Sequence, residues 1–455
     1  MKKVLFYGVI MAGLLAAGGC ETKKPVTPQT ALQAYINNSD HSFAWEVVDK
    51  TQKDGATLYR VVFTSQQWRE FTWKHEMVIV VPDMLKYHDA LLFIAGGSVK
   101  DGEPNLHQWD DKFVRFMSQT AKNSMAVTAV LWQVPNQPLY NDLTEDALIS
   151  FTFHNYLNDG DMTWPLLFPM TKSAIRGMDV VQQFSGKEMK WDVKQFVVSG
   201  QSKRGWTTWL TGASDKRVKA IAPMVIDVLN MPVSIDYQIE VWNDYSIEIE
   251  DYVSLGIAQQ IATEGGMEIV AMVDPYSYRQ TLTMPKMLFM GTNDPYWPVD
   301  AVKNYIDDIP GINFICYVPN AKHNLGDGQK AFASLCAFFE ITVTGENHPV
   351  CDYSVSGQPG AITLKVQTTP DLLLGAELWQ AESEDQDFRD DTWSGEDLNA
   401  AGQKEFVVSI GYPAAGYKAF FVDLKYKTKT GLEYTKSTRM FVTADEKLLL
   451  KKESE

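Results

Sequence analysis

Residues 195–206 read Gln195-Phe196-Val197-Val198-Ser199-Gly200-Gln201-Ser202-Lys203-Arg204-Gly205-Trp206, and the fold class follows from them. A short apolar run is followed at once by a glycine, a serine and a segment of helical character. This pattern is typical of a buried strand that turns sharply into a helix, with Ser202 at the turn. Gly200 supplies the small residue that such a turn requires. The serine hydroxyl is then expected at the carboxyl end of a parallel sheet.

The serine motif departs from the usual strand-to-helix turn at one position. The second glycine commonly stands two residues after the serine, but here Arg204 occupies that position and Gly205 follows. Gly-x-Ser-x-x-Gly alone is a weak signal. Lys203 and Arg204 also place two cations beside a helix N-terminus, which is unfavourable unless acidic groups pair with them. We expect a structural ion pair at Arg204; a site for a substrate carboxylate is the alternative.

Two further residues would complete a catalytic triad. Asp294 lies in the loop 291–295, directly after an apolar run, and His323 lies in the loop after the last apolar run, 314–318. A serine hydroxyl becomes nucleophilic when a histidine removes its proton and a carboxylate orients that histidine. The order serine, aspartate, histidine is that of α/β-hydrolases. The sequence therefore predicts Ser202, Asp294 and His323 as catalytic residues.

Other groups of this site follow from the same pattern. Asp227, which follows an earlier apolar run, is the alternative acid. Acyl transfer needs hydrogen-bond donors aimed at the developing oxyanion, and we assign them to the backbone N–H groups of Gly97 and Lys203. Gly96 would let the main chain approach the substrate.

Several tryptophans lie near loops expected at the carboxyl ends of the strands. Aromatic surfaces there would suit apolar or sugar-like substrates, and we assign Trp132 and Trp297 to substrate binding. The full set is Trp132, Trp164, Trp206, Trp242 and Trp297.

Apolar runs alternate with helical patterns over residues 31–344, which predicts an α/β-hydrolase domain with a mostly parallel sheet and helices on both faces. Two antiparallel strands over residues 58–81 lead into this sheet. A helical insertion at about 228–284 falls where a lid would lie. Short alternating strands without a helical period predict a second domain, a β-sandwich of the immunoglobulin or fibronectin type III kind, over residues 345–455.

Residues 1–20 have the layout of a secretory signal peptide, in which two lysines precede an apolar run and small residues. Cys20 follows those small residues as in a bacterial lipoprotein box, although Ala17 stands where that box prefers leucine. We predict lipidation at Cys20, with cleavage alone as the alternative, and a tether over residues 21–30. The protein would then be held by lipid at the cell envelope, in the periplasm or on the outer membrane or surface.

Composition restricts the partners. The 57 acidic and 41 basic residues give a net charge of -16, so nucleic acid is disfavoured and a small-molecule or peptide substrate is expected. Cys316, Cys336 and Cys351 allow at most one disulfide, for which Cys336 and Cys351 are the candidate pair. Cysteine and histidine spacings do not match a zinc site, and neither a metal nor another cofactor is expected.

The run Ser202-Lys203-Arg204-Gly205-Trp206-Thr207-Thr208-Trp209, with Gly291-Thr292-Asn293-Asp294-Pro295-Tyr296-Trp297 and His323-Asn324, resembles the PhoPQ-activated pathogenicity-related protein family. Residues 144–150 and 171–174 are also similar to that family. The resemblance spans roughly residues 30–445 and implies an α/β-hydrolase core with a β-rich C-terminal module. It implies no particular substrate. Similarity to prolyl-oligopeptidase-like and esterase folds is more distant, and Arg204 departs from their motif.

These observations predict a lipid-anchored serine hydrolase that cleaves an ester or amide bond through an acyl-enzyme at Ser202. An amidase or peptidase is the nearest alternative. A peptidase that binds free N-termini needs a carboxylate pair, for which Glu145-Asp146 or Glu248, Glu250 and Asp251 are candidates. A catalytically silent binding lipoprotein that uses its β-domain is the third hypothesis.

Overall fold

The computed structural model describes residues 25–451. The predicted signal peptide, Cys20 and the start of the tether lie outside the described residues. The helices in this range are α1 (Pro28–Ile36), α2 (Lys112–Ser124), α3 (Glu145–Asp159), α4 (Leu167–Phe184), α5 (Lys203–Ser214), α6 (Met231–Trp242), α7 (Glu250–Val253), α8 (Glu264–Val273) and α9 (Gln329–Thr344). A π-helix spans Ser185–Met189, and short 3-10 helices span Ile247–Ile249, Pro275–Thr281, Ala301–Asn304, Ile306–Asp308 and Pro370–Leu372.

The strands of the α/β part are β1 (Ala44–Lys53), β2 (Ala56–Trp68), β3 (Phe71–Pro82), β4 (Asp89–Ile94), β5 (Val99–Lys100), β6 (Glu103–Pro104), β7 (Val127–Leu131), β8 (Gln195–Gln201), β9 (Val218–Met224), β10 (Lys286–Gly291) and β11 (Asn313–Val318). Those of the C-terminal part are β12 (Cys351–Gln358), β13 (Ala361–Thr368), β14 (Leu373–Ser383), β15 (Ser394–Asp397), β16 (Glu405–Gly411), β17 (Tyr417–Lys427), β18 (Glu433–Ser437), β19 (Phe441–Ala444) and β20 (Lys447–Leu448).

The central sheet has the strand order β1-β2-β3-β7-β4-β8-β9-β10-β11. The strands from β7 to β11 in this order are mutually parallel, and β1, β2 and β3 form an antiparallel meander joined to β7. The predicted α/β class with a mostly parallel sheet is confirmed. The chain leaves β4 toward β7 and leaves β8 toward β9, so the order reverses between β4 and β8. Ligands of open α/β sheets bind at such a reversal, beyond the strand carboxyl ends.

Both faces of this sheet are covered, which explains the unbroken apolar runs. Every residue of β4 is buried, and its side chains alternate between two hydrophobic layers. Leu92 and Ile94 pack into one layer, while Leu91 and Phe93 pack into the other. The helical insertion contributes α6, α7 and α8 to the first layer.

The C-terminal strands form two layers around a third hydrophobic core. One layer is the antiparallel sheet β12-β13-β16, and the other contains β14, β15, β17 and β18. The second layer is not separate, because Ser437 of β18 pairs with Ile315 of β11 and so extends the central sheet. The predicted C-terminal β-sandwich domain is therefore not confirmed.

Cys316, Cys336 and Cys351 are free thiols, so the candidate pair of Cys336 and Cys351 is not formed. Between residues 25 and 451, no helix has both the length and the apolar character of a membrane span. In the same range, His, Cys, Asp and Glu side chains form no group of three or more that could hold a metal ion.

Candidate active site

Ser202 stands at the sharp turn between β8 and α5. Its backbone has φ 57° and ψ -124°, a conformation that non-glycine residues rarely adopt, and its N–H donates to Met224 at 2.8 Å. A Cβ on Gly200 would lie 2.8 Å from the Arg204 carbonyl oxygen, and one on Gly205 would lie 2.7 Å from that of Met224. The two glycines therefore let α5 pack closely on β8 and β9. This packing explains why the second glycine follows the serine by three residues.

The hydroxyl of Ser202 meets the imidazole of His323. The Ser202 Oγ lies 2.8 Å from His323 Nε2, and His323 Nδ1 lies 3.0 and 2.8 Å from the two carboxylate oxygens of Asp294. Asp294 is buried and its Oδ1 also accepts the N–H of Tyr296, whose ring centroid lies 4.2 Å from that of His323. A carboxylate on Nδ1 favours the tautomer whose Nε2 accepts the serine proton.

Close contact between two loops brings Asp294 and His323 together. A Cβ on Gly291, at the end of β10, would lie 2.3 Å from the carbonyl oxygen of Ala321. The N–H of Asn293 donates to that same carbonyl oxygen at 3.0 Å. Asn293, the residue before Asp294, is thus hydrogen-bonded to Ala321, which stands two residues before His323.

The same two loops are tied to the C-terminal layers. The side-chain amide of Asn293 lies within 3.2 Å of the carbonyl oxygens of Phe388, Arg389 and Asp391. Asn320 exchanges two hydrogen bonds with the backbone of Trp393, at 2.9 and 2.8 Å. The segment 388–393 therefore holds both loops. Sequence reasoning missed this role, and we find no pattern in the sequence that signals it.

The two cations after the serine are paired, as expected. The Arg204 guanidinium donates to both carboxylate oxygens of Glu145, at 2.7 and 2.6 Å, and to the carbonyl oxygen of Val134 at 2.5 Å. Lys203 Nζ lies 2.7 Å from Asp146 and 3.3 Å from Glu145. Burial of the Glu145 carboxyl alone would raise its pKa. The positive charges of Arg204 and Lys203 have the larger combined effect and lower the pKa of Glu145 to about 2. These pairs fasten the start of α5 to the start of α3.

A deep apolar pocket opens on one side of Ser202. It encloses about 630 Å³ of empty space, part of it continuous with solvent. The pocket is lined by the helical insertion, by residues that follow β9, and by Trp206 and Trp297. Asp146 is the acidic residue in the lining, and it accepts hydrogen bonds from Tyr252 at 3.0 Å and Tyr296 at 3.3 Å. The apolar lining residues are Phe153, Trp206, Ile226, Val228, Met231, Ile235, Ile249, Ile257, Ala258, Ile261 and Trp297.

A second cavity lies on another side of Ser202, beyond β4. It has about 510 Å³ of empty space, part of it continuous with solvent. Its lining includes Gly96 and His323 but not Gly97, so Gly96 is the glycine of this loop that borders the site. A Cβ on Gly96 would lie 2.7 Å from the Arg204 guanidinium, and this contact accounts for the glycine. Lys203 begins α5, where backbone N–H groups have no acceptor within the helix.

Two of the residues considered from sequence lie elsewhere. Trp132 is buried, stacks on His107 at 4.6 Å and lines neither cavity at Ser202, so the structure does not place it at the predicted substrate-binding rim; Trp297 lines the apolar pocket. Asp227, the alternative acid, accepts a hydrogen bond from Tyr305 at 2.5 Å. Burial, reinforced by nearby carboxylates and opposed by that hydrogen bond, raises the pKa of Asp227 to about 7.

Comparisons with known proteins agree with the sequence motif. The sequence model of the PhoPQ-activated pathogenicity-related protein family matches residues 32–389. Autocrine proliferation repressor protein A of Dictyostelium discoideum is 29% identical over 446 residues, covering 89% of this chain and 88% of that protein.

Among solved structures, acetyl xylan esterase 1 from Thermoanaerobacterium sp. JW/SL YS485 superposes with a TM-score of 0.47 and 15% identity, over 67% of this chain and 90% of that one. A glucuronoyl esterase from Solibacter usitatus gives a TM-score of 0.37 and 12% identity, over 62% of this chain and 78% of its own.

Proposed function

The chain belongs to the PhoPQ-activated pathogenicity-related protein family, and from that premise and the site geometry we propose that it is a serine hydrolase that cleaves ester bonds. One observation carries the proposal. The hydroxyl of Ser202, on a strained strand-to-helix turn, lies 2.8 Å from Nε2 of an imidazole. The Nδ1 atom of the same imidazole lies 2.8 Å from a buried carboxylate. This arrangement activates a hydroxyl for attack on an acyl carbon.

The proposed reaction has two halves. His323 Nε2 takes the proton of Ser202 as Oγ bonds to the acyl carbon, and Asp294 stabilises the imidazolium. When the bond to the leaving oxygen breaks, His323 returns the proton to that oxygen. Water then attacks the acyl-enzyme, with His323 again taking and returning a proton, and the acid is released with Ser202 restored.

The oxyanion formed in each half needs backbone donors. The N–H of Lys203 at the start of α5 remains our first donor. The N–H of Ala95 is not available, because it donates to the carbonyl oxygen of Leu131 at 2.7 Å. Gly96 lines the cavity beside Ser202 and Gly97 does not, so we move the second donor from Gly97 to Gly96.

Ester cleavage is preferred over an aminopeptidase function because of the ion pairs. A peptidase that holds a free N-terminus needs carboxylates available to the substrate ammonium. Asp146 is already bound by Lys203, Tyr252 and Tyr296, and Glu145 by Arg204. The other candidates, Glu248, Glu250 and Asp251, are exposed and do not line the apolar pocket beside Ser202.

Labelling by a fluorophosphonate tests the proposal. The wild-type protein is expected to react, whereas Ser202→Ala and His323→Ala are expected not to, with circular dichroism confirming that both variants fold. Hydrolysis of p-nitrophenyl butyrate and of aminoacyl p-nitroanilides would then separate an esterase from an amidase. If the wild type is folded but unlabelled, the silent binding lipoprotein becomes the better hypothesis.

We also propose that a lipid on Cys20 holds the protein at the cell envelope. The support is the sequence layout of residues 1–30. Metabolic labelling with a palmitate analogue in a bacterial host is expected to mark the wild type and not Cys20→Ala. Label retained in that variant, or absent from the wild type, contradicts the anchor.

A further inference from the structure

The two cavities beside Ser202 are bordered by different residues of the triad. The lining of the apolar pocket includes Ser202 but not His323, whereas the lining of the second cavity includes both. A substrate bound at the serine therefore has two unlike directions in which its halves can extend. His323 borders only the second of these two cavities.

Proton transfer assigns the two halves of the substrate to the two cavities. On the proposed function, His323 Nε2 must protonate the leaving oxygen as its bond to the acyl carbon breaks. A proton moves only across hydrogen-bonding distance, so the leaving oxygen must lie on the side of Ser202 that His323 borders. That side is the second cavity. The acyl chain is then left to the apolar pocket.

The chemistry of the pocket restricts the acyl chain. The helical insertion supplies Ile235, Ile249, Ile257, Ala258 and Ile261, which offer only apolar surface. Two charged side chains reach the lining, and they neutralise each other, because Lys203 Nζ lies 2.7 Å from Asp146. A charged acyl group would lose its hydration without gaining a counter-ion in this lining.

We propose that the apolar pocket is the acyl site and that the substrates are esters of uncharged aliphatic acids longer than acetate, with the alcohol in the second cavity. The inference rests on the proposed ester hydrolysis at Ser202. The insertion acts here as a specificity element, since most of the apolar contacts come from it.

The wild-type protein alone tests the chain length. Initial rates are measured on p-nitrophenyl acetate, butyrate, hexanoate and octanoate, with succinate monoester as the charged acyl group. We expect kcat/KM to rise by about three- to four-fold for each added methylene until the pocket is filled. The succinate ester is expected to be hydrolysed more slowly than butyrate. A flat or falling series, or a preference for succinate, overturns the inference.

A substitution in the apolar pocket tests whether the acyl chain binds there. Ala258 is buried in the lining and Gln259 beside it is exposed, so Ala258→Trp fills the pocket and Gln259→Trp serves as the matched control. We expect Ala258→Trp to lower the ratio of kcat/KM for octanoate to that for acetate by about tenfold or more. Gln259→Trp is expected to keep the wild-type ratio.

Acetate esters of butanol, hexanol and octanol test where the alcohol part of the substrate binds. Ala258→Trp is expected to leave the order among these alcohols as in the wild type. A changed alcohol order with an unchanged acyl order would place the alcohol in the apolar pocket and overturn the assignment. Failure of the proposed function looks different, because Ser202 would then not be labelled and no ester would be cleaved. That result would overturn the inference with it.

Discussion

The side-chain amide of Asn293 lies 2.8 Å from the carbonyl oxygen of Asp391, and this contact joins the loop of the proposed catalytic acid to the C-terminal layers. Asn320 makes the equivalent connection for the loop of His323, through the backbone of Trp393. We therefore infer that the C-terminal layers help to position Asp294 and His323.

Removing these amides should impair catalysis more than binding. We expect Asn293→Ala and Asn320→Ala to lower kcat by about tenfold to a hundredfold with little change in KM, because small displacements of Asp294 or His323 disturb proton transfer. Steady-state kinetics on p-nitrophenyl butyrate provide the measurement. Asn155→Ala, which removes an amide that donates within α3, is the control. Wild-type kcat in both loop variants would show that the contacts have no positioning role.

The two candidate acids can be separated by isosteric substitution. Asp294→Asn should lower kcat by about three to four orders of magnitude, because an amide no longer stabilises the imidazolium. Asp227 hydrogen-bonds to Tyr305 and not to His323, so Asp227→Asn should keep kcat within about threefold. The same esterase assay and fluorophosphonate labelling follow both variants. A reversed order of effects would make Asp227 the catalytic acid.

Glu145 should stabilise the fold in a pH-dependent way. Its pKa of about 2 lies below the ordinary 4.5, so its stabilisation is complete above pH 4.5 and is lost as pH falls toward 2. Glu145→Gln is expected to reduce the free energy of unfolding by about 1–2 kcal/mol at pH 7, an amount discounted because 38% of the carboxylate side chain is exposed. Urea unfolding at pH 7 and pH 3 should show a smaller difference at pH 3.

The surface pair of Glu405 and Lys365 is the matched control for that experiment, since Glu405→Gln removes a carboxylate from an exposed ion pair. We expect its unfolding curve to match the wild type at both pH values. An equal loss in the two variants, or a loss at Glu145 that does not change with pH, would contradict the account.

The parallel strands and the triad loops could be predicted from the sequence because burial on both faces leaves unbroken apolar runs. The strands that were missed lack that signal. β1 is mostly exposed and is held by pairing with β2. β18 is largely buried but polar, and Lys436 within it is satisfied by the carbonyl oxygen of Pro349. Without β18, the connection of the C-terminal layers to the central sheet could not be anticipated.

The direction of each side chain was the second feature that could not be predicted from the sequence. Position along the chain placed both Trp132 and Trp297 near strand ends, but it did not say which way each ring points. Trp132 turns into the core against His107, and Trp297 turns toward the pocket. The choice between Gly96 and Gly97 depends on the same information, because only the folded loop shows which residue borders the cavity beside Ser202.

Gly205 offers a last test, in which helix propensity and packing oppose each other. In an ordinary helix, alanine is more favourable than glycine by about 1 kcal/mol. Here the new Cβ would lie 2.7 Å from the carbonyl oxygen of Met224 and 3.0 Å from that of Gly200, and neither backbone atom can turn aside. We therefore expect Gly205→Ala to lose about 1–3 kcal/mol of unfolding free energy and at least about tenfold in kcat, because α5 must move and carry Ser202 with it.

Gly186→Ala, where a Cβ meets nothing within 4 Å, should be as stable as the wild type or slightly more so. Urea unfolding and the esterase assay measure both variants, and an unchanged Gly205→Ala would show that close packing of α5 on β9 does not fix this glycine.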